Sequence, residues 1–137
     1  MSIPYYSVKI LASKMPGRWD AIVGIPRGGL IVAALLGYEL GVQRVACHGQ
    51  DYHRRPDRPP FLGVVYSRFQ GIPGERVLLV EDGTQTGTLL ENARRWYGHE
   101  QIEVVTAALW VSTLSDYRPD VWVSEVDVLP SARELIS

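Results

Sequence analysis

Two short stretches of this chain hold residue types that can do chemistry. The first is Glu81-Asp82-Gly83-Thr84-Gln85-Thr86-Gly87-Thr88, where two adjacent carboxylates precede three threonines and two glycines. Glycines let backbone amides approach a ligand closely, and threonine hydroxyls add donors. A helix starting just beyond would contribute about half a positive charge at its amino terminus. That combination suits a phosphate. The carboxylates of Glu81 and Asp82 can accept hydrogen bonds from sugar hydroxyls, or orient a magnesium ion also held by phosphates. A plainer description fits the same residues, a capped loop with two solvated acids beside it. The second stretch is Ile25-Pro26-Arg27-Gly28-Gly29, an arginine and two glycines leading into a helical pattern. The plain alternative for Arg27 is a surface arginine in a turn. Neither stretch has the lysine of a Walker loop or the spaced glycine triplet of dinucleotide folds.

The elements that must position these residues follow from the apolar pattern. Arg76-Val77-Leu78-Leu79-Val80 is a continuous β-branched and leucine run, as expected of a strand buried on both faces of a parallel sheet. Residues 20–25 form a shorter apolar run leading into the arginine-glycine turn. Leu30, Ala33, Ala34, Gly37 and Gly41 then recur at helical spacing and predict a small-residue face packed on the sheet. A second helix is predicted from Leu89, Leu90, Ala93, Trp96 and Tyr97, ending at Gly98. Further strands are expected at 43–47, 62–66, 102–109 and 121–123. The segment 48–60 is polar, basic and proline-rich, and is not expected to pack. Strands alternating with helices imply a single α/β domain over residues 1–137, with a mostly parallel central sheet flanked by helices. In such sheets ligands bind outside the carboxyl ends of the strands, where both stretches fall.

Bulk composition narrows the classes. The chain has 137 residues, is 46% apolar and 21% charged, and carries a net charge of −1. That balance is ordinary for a globular domain and lacks the basic footprint of a general nucleic-acid binder. The single cysteine, Cys47, excludes an intrachain disulfide and reads as a buried strand residue. His48, His53 and His99 are scattered, without metal-ligand spacing. No basic region followed by an apolar stretch opens the chain, and no apolar run is long enough to span a bilayer, so a cytoplasmic protein without membrane contact is expected.

The apolar strand, the paired acids and the Thr-Gly that follows resemble the phosphoribosyl pyrophosphate signature of the type I phosphoribosyltransferases. The stretch 25–29 is similar to that family's pyrophosphate loop, and the segment 48–60 lies where the family has a flexible hood over bound substrate. The resemblance runs from about Ser7 to about Pro130. Length and motif order look most like the short purine enzymes, xanthine-guanine and hypoxanthine-guanine phosphoribosyltransferases. Arg118-Pro119-Asp120, Glu125 and Asp127 are similar to their carboxyl-terminal part. The resemblance implies a Rossmann-like fold and a magnesium-dependent transfer of the 5-phosphoribosyl group from phosphoribosyl pyrophosphate to a nucleobase, with a homodimer as the assembly. It implies that Glu81 and Asp82 hold the ribose hydroxyls, with magnesium held through the substrate and by these acids. Thr84, Thr86, Gly87 and Thr88 would hold the 5-phosphate, and Arg27, Gly28 and Gly29 the pyrophosphate.

Three positions depart from the family. Gln85 stands where an aspartate usually assists proton transfer to and from the purine, and glutamine cannot ionise. General acid-base help is typically worth about 10²–10⁴-fold, so the chain would be a slow enzyme or a non-catalytic nucleotide-binding regulator. The lysine expected near Ser112 to recognise a purine oxygen is missing, the only lysines being Lys9 and Lys14. The aromatic expected to stack on the base would fall near Val128 and Leu129, unless Trp122 takes that part. A different transferase or hydrolase reusing the fold stays open.

Overall fold

The structure is a computed structural model and describes residues 5–15, 17–26, 28–48, 76–84, 86–98 and 103–127. In chain order the elements are α1 (Tyr5–Ser13), β1 (Ala21–Gly24), α2 (Gly28–Leu40), β2 (Val45–Cys47), β3 (Arg76–Thr84), α3 (Thr88–Gly98), β4 (Glu103–Ser112) and β5 (Val121–Val126). The strands form one sheet in the order β2-β1-β3-β4-β5, and every pairing is parallel. The order reverses once, between β1 and β3. In open α/β sheets that reversal opens a crevice beyond the carboxyl ends of the two strands, because their following helices leave to opposite faces.

The central strand is buried as its run of apolar residues requires: Val77, Leu78, Leu79 and Val80 have no exposed surface. Alternation along the strand sends Leu78 and Val80 to one face, against Val8 and Leu11 of α1 and Val32, Ala33 and Leu36 of α2. Val77 and Leu79 go to the other, against Leu90, Ala93 and Tyr97 of α3. Each such side chain contributes about 1.5–3 kcal/mol when fully withdrawn from water.

Several expectations are corrected. β3 does not end at Val80 but runs on through Glu81, Asp82, Gly83 and Thr84, because Glu81, Gly83 and Thr84 pair with Ala108, Trp110 and Val111 of a β4 that is itself longer than its apolar run. β5 likewise extends to Val126 and β2 begins only at Val45. The inward face of α2 is Gly29, Val32, Ala33, Leu36 and Gly37, whereas Leu30, Ala34 and Gly41 are exposed. Its residues are apolar nearly all round, so spacing alone did not choose the side. α1 was not expected; it is held by packing on α2 and by two buried anchors, Val8 and Leu11. His48 is fully buried rather than part of a non-packing segment. Its N–H donates to the Gly24 carbonyl at 2.8 Å, extending the β1–β2 ladder, and its Nδ1 lies 3.2 Å from the Tyr97 hydroxyl. Burial holds the His48 imidazole down near a pKa of about 4 and so neutral. Cys47 is only half-buried. The expected strand at 62–66 and residues 49–60 of the expected hood lie outside the described residues.

Candidate active site

The two chemistry-bearing stretches meet at the reversal of strand order. β1 and β3 are paired from Ala21↔Val77 to Gly24↔Val80, so the turn after Gly24 and the end of β3 leave the sheet side by side. Beyond the last pair, the Ile25 N–H donates to the Val80 carbonyl at 2.9 Å. Gly28 and Gly29 then bring the first turn of α2 directly against β3. A Cβ on Gly28 would overlap the Asp82 carboxylate, and one on Gly29 would stand 2.6 Å from the Val80 carbonyl oxygen. At Gly29 the obstruction is backbone and only glycine fits, whereas at Gly28 a side chain would force the carboxylate to shift.

Asp82 therefore faces the amino terminus of α2, whose partial positive charge favours a carboxylate. Burial nevertheless raises its pKa, opposed by hydrogen bonds from the Gly83 N–H and its own N–H. Alternation turns Glu81 to the opposite side of the strand. Glu81 Oε2 is shut off from water and has no hydrogen-bond partner among the described residues. Burial first, and the neighbouring Asp82 charge second, push this carboxyl up to about 8. An unsatisfied carboxyl oxygen at the end of a buried strand is an acceptor that a sugar hydroxyl could satisfy. Among the described residues no group of three or more histidines, cysteines or acids could by itself hold a metal ion.

The residues expected to hold a phosphate fall into two settings. Thr84 is the last residue of β3 and is buried, so it supports the loop from behind. Thr86, Gly87 and Thr88 form the turn into α3. The Thr86 hydroxyl donates to Thr88 Oγ1 at 3.0 Å and accepts the Thr88 N–H at 3.2 Å, capping the helix. Gly87 has a left-handed φ of 85°.

The proposed base-side residues are more dispersed. Ser112, at the end of β4, is fully buried and its hydroxyl accepts the Leu114 N–H at 3.0 Å. Trp122 shares a register level with Ala108 and, through it, with Glu81, two strands away. Its ring is half-buried, with the Arg118 guanidinium 5.5 Å from its centroid. Arg27, Gln85, Val128 and Leu129 lie outside the described residues. Reasoning from sequence missed the connection between β4 and β5: the backbone N–H groups of Asp116 and Tyr117 both donate to the Thr86 carbonyl, at 3.1 and 3.3 Å. Nothing in the local sequence marks that contact.

The parallel sheet thus reverses at β1/β3, and a capped threonine-glycine turn and paired acids stand at that reversal. The chain belongs to the phosphoribosyl transferase domain family, whose model matches residues 4–131. That family is a class of glycosyltransferases. A xanthine-guanine phosphoribosyltransferase of Cereibacter sphaeroides is 31% identical over 93 residues; the match covers 66% of this chain and 55% of that relative, little more than half its length. Among solved structures, a purine phosphoribosyltransferase from Pyrococcus horikoshii superposes with a TM-score of 0.73 at 24% identity, covering 89% of this chain and 82% of that one. A hypothetical protein from Neisseria gonorrhoeae with bound ppGpp gives 0.72 at 18% identity, over 89% of this chain and 78% of that one. These two likenesses establish the fold.

Proposed function

We propose that the chain transfers the 5-phosphoribosyl group of phosphoribosyl pyrophosphate to a nucleobase, a purine in the first instance, releasing pyrophosphate. The observation that supports this is the closeness of Gly28 to Asp82, a Cβ on Gly28 overlapping the carboxylate, so that the proposed pyrophosphate loop adjoins the strand end that opens the proposed sugar-phosphate loop. In the reaction the bond from the sugar's C1 to pyrophosphate oxygen breaks, a ring nitrogen of the base bonds to C1, and the base loses a proton. Positive charge builds on the sugar on the way. Glu81 and Asp82, on either side of the strand end, hydrogen-bond the ribose hydroxyls, and the Asp82 carboxylate stabilises that charge. Thr86, Gly87 and Thr88 hold the 5-phosphate with the α3 amino terminus behind them, and Thr84 backs the turn. Arg27, Gly28 and Gly29 take the leaving pyrophosphate.

Magnesium fits this site only as a guest of the substrate: Asp82, with Glu81 as its neighbour, could add a carboxylate to a coordination shell made mostly of phosphate oxygens and water. When bound, the ion would neutralise charge on the departing pyrophosphate. No helix among the described residues is long and apolar enough to cross a membrane. A cytoplasmic homodimer that takes phosphoribosyl pyrophosphate and a nucleobase, and no nucleic acid, completes the reading.

The test is incubation with phosphoribosyl pyrophosphate, magnesium and a panel of purine and pyrimidine bases while pyrophosphate is measured. Turnover with a purine is expected; release with no base in the panel rejects the proposal. A second reading, binding without turnover in a regulator, is favoured by Gln85 and by Ser112 standing near the family's lysine position. The ppGpp bound in the Neisseria structure supports testing that nucleotide too. Calorimetry showing tight nucleotide binding beside zero turnover would decide for it.

A further inference from the structure

The connection between β4 and β5 touches the proposed phosphate turn from the side away from α2, and one side chain fastens it there. Asp116 and Tyr117 donate their N–H groups to the Thr86 carbonyl, and the Ser115 hydroxyl donates to the Thr84 carbonyl at 3.4 Å. In a trans peptide the carbonyl and the following N–H point in opposite directions. Tying the Thr86 carbonyl to this connection therefore turns the Gly87 N–H away from it, into the space ahead of α3. Gly87 must also be glycine for the connection to come so close: a Cβ there would stand 2.7 Å from Tyr117 Cβ and would overlap the Tyr117 carbonyl oxygen.

The Tyr117 hydroxyl is the anchor. It accepts a hydrogen bond from Arg94 Nη1 of α3 at 3.1 Å and shares another with Thr106 Oγ1 of β4 at 3.1 Å. Thr106 is in turn locked to Asp120 at the far end of the connection: the Asp120 N–H donates to Thr106 Oγ1 at 3.0 Å, and the Thr106 N–H donates to Asp120 Oδ2 at 2.9 Å. One phenol thus joins α3, β4 and the connection. We infer that Tyr117 is a positioning residue for the 5-phosphate: it touches no ligand, but through the Thr86 carbonyl it fixes the direction of the Gly87 N–H in the cradle. The inference rests on the phosphoribosyl reading above, and it assigns to the β4–β5 connection a part in binding one end of the substrate only.

Because the pyrophosphate loop is built on α2 and β1, loss of this brace should weaken the sugar-phosphate end selectively. The experiment is calorimetry on the full chain with ribose 5-phosphate and, separately, with pyrophosphate, comparing wild type, Tyr117→Phe, Tyr117→Ala and Thr106→Val. Tyr117→Phe keeps the ring and removes the anchor; it is expected to weaken ribose 5-phosphate about fivefold, the worth of a net hydrogen bond. Tyr117→Ala is expected to lose about tenfold or more, since the ring's packing against the core beneath α3 goes as well, and Thr106→Val to repeat the phenylalanine result from a position behind the connection. Pyrophosphate affinity stays within about twofold in all of them, independent sites being additive. A parallel fall for both ligands, as general loosening would give, overturns the inference. So does undiminished ribose 5-phosphate binding in Tyr117→Phe and Thr106→Val, two variants that alter no backbone. Wild-type protein that binds neither ligand overturns the phosphoribosyl reading itself, and the inference with it.

Discussion

Substituting Gly28 by alanine tests the junction on which the site depends. The new Cβ would fall on the Asp82 carboxyl group, meeting Oδ1 at 2.9 Å and overlapping its other atoms, whereas ordinary contact begins at 3.4 Å. Relief requires that the carboxylate, or the first turn of α2, retreat by about 1 Å. Overpacking of that kind costs about 1–3 kcal/mol. Near this chain length each kcal/mol moves the melting temperature by about 4 °C, so a fall of about 4–12 °C is expected. Displacing a substrate-holding group by 1 Å can lower turnover by about 10²-fold. Two measurements check the reasoning: thermal unfolding of Gly28→Ala in the wild-type and Asp82→Ala backgrounds, and kcat/KM with pyrophosphate affinity in the single variant. Removing the Asp82 carboxylate should recover most of the lost stability, because the overlap goes with it. Equal destabilisation in both backgrounds, or a single variant with wild-type kcat/KM, would refute the proposed junction.

Three further outcomes follow from the site and its surroundings. Glu81 titrates near 8 in the folded chain against an ordinary value of 4.5, so its contribution to stability is fully present below about pH 4.5 and drains away as pH rises to about 8, by at most about 1.4 kcal/mol per pH unit. Thermal unfolding across pH 4–9 should show that decline in the wild type and a flatter profile in Glu81→Gln, which should also lose about 10²-fold or more in kcat. Gln85→Asp should raise kcat by about 10²-fold with its optimum moving to the new group's titration, as measured by pyrophosphate release. His48 has the opposite sign: with a folded pKa near 4 against 6.5, its contribution is present above about pH 6.5 and is lost as pH falls toward 4, and Tyr97→Phe should cost about 0.5–1.5 kcal/mol at neutral pH in denaturant unfolding.

What could be read directly from the chain was whatever short-range sequence decides. The run from Val77 to Val80 admits little but a buried strand, and the residue types in 25–29 and 81–88 are arranged along the chain itself, so both halves of the candidate site could be proposed from it. Pairing partners were not. Glu81 to Thr84 look like a loop because they are polar and glycine-bearing, and become strand because Ala108, Trp110 and Val111 lie alongside. His48 looks like the start of a polar segment, and is buried because Gly24 offers a free ladder carbonyl. Tyr117 could not be linked to the turn at 86–88 at all, since the contacts between the β4–β5 connection and the chain leading into that turn cross about thirty residues, 31 in the case of Ser115 and Thr84.

The pairing of β1 with β3 has one more consequence. It begins where the Asp20 N–H donates to the Arg76 carbonyl and the Arg76 N–H donates to the Asp20 carboxylate across 56 residues of sequence, and the two turns adjoin only once that distant match is made. Closing so long a chain segment is entropically costly, and is repaid only after the partner strands have met. A substrate gripped by both turns at once would work as a rivet through that seam, holding together the two strands that are hardest to bring together. By mass action, occupancy at a hundred times the dissociation constant would add about 2.7 kcal/mol to the whole fold.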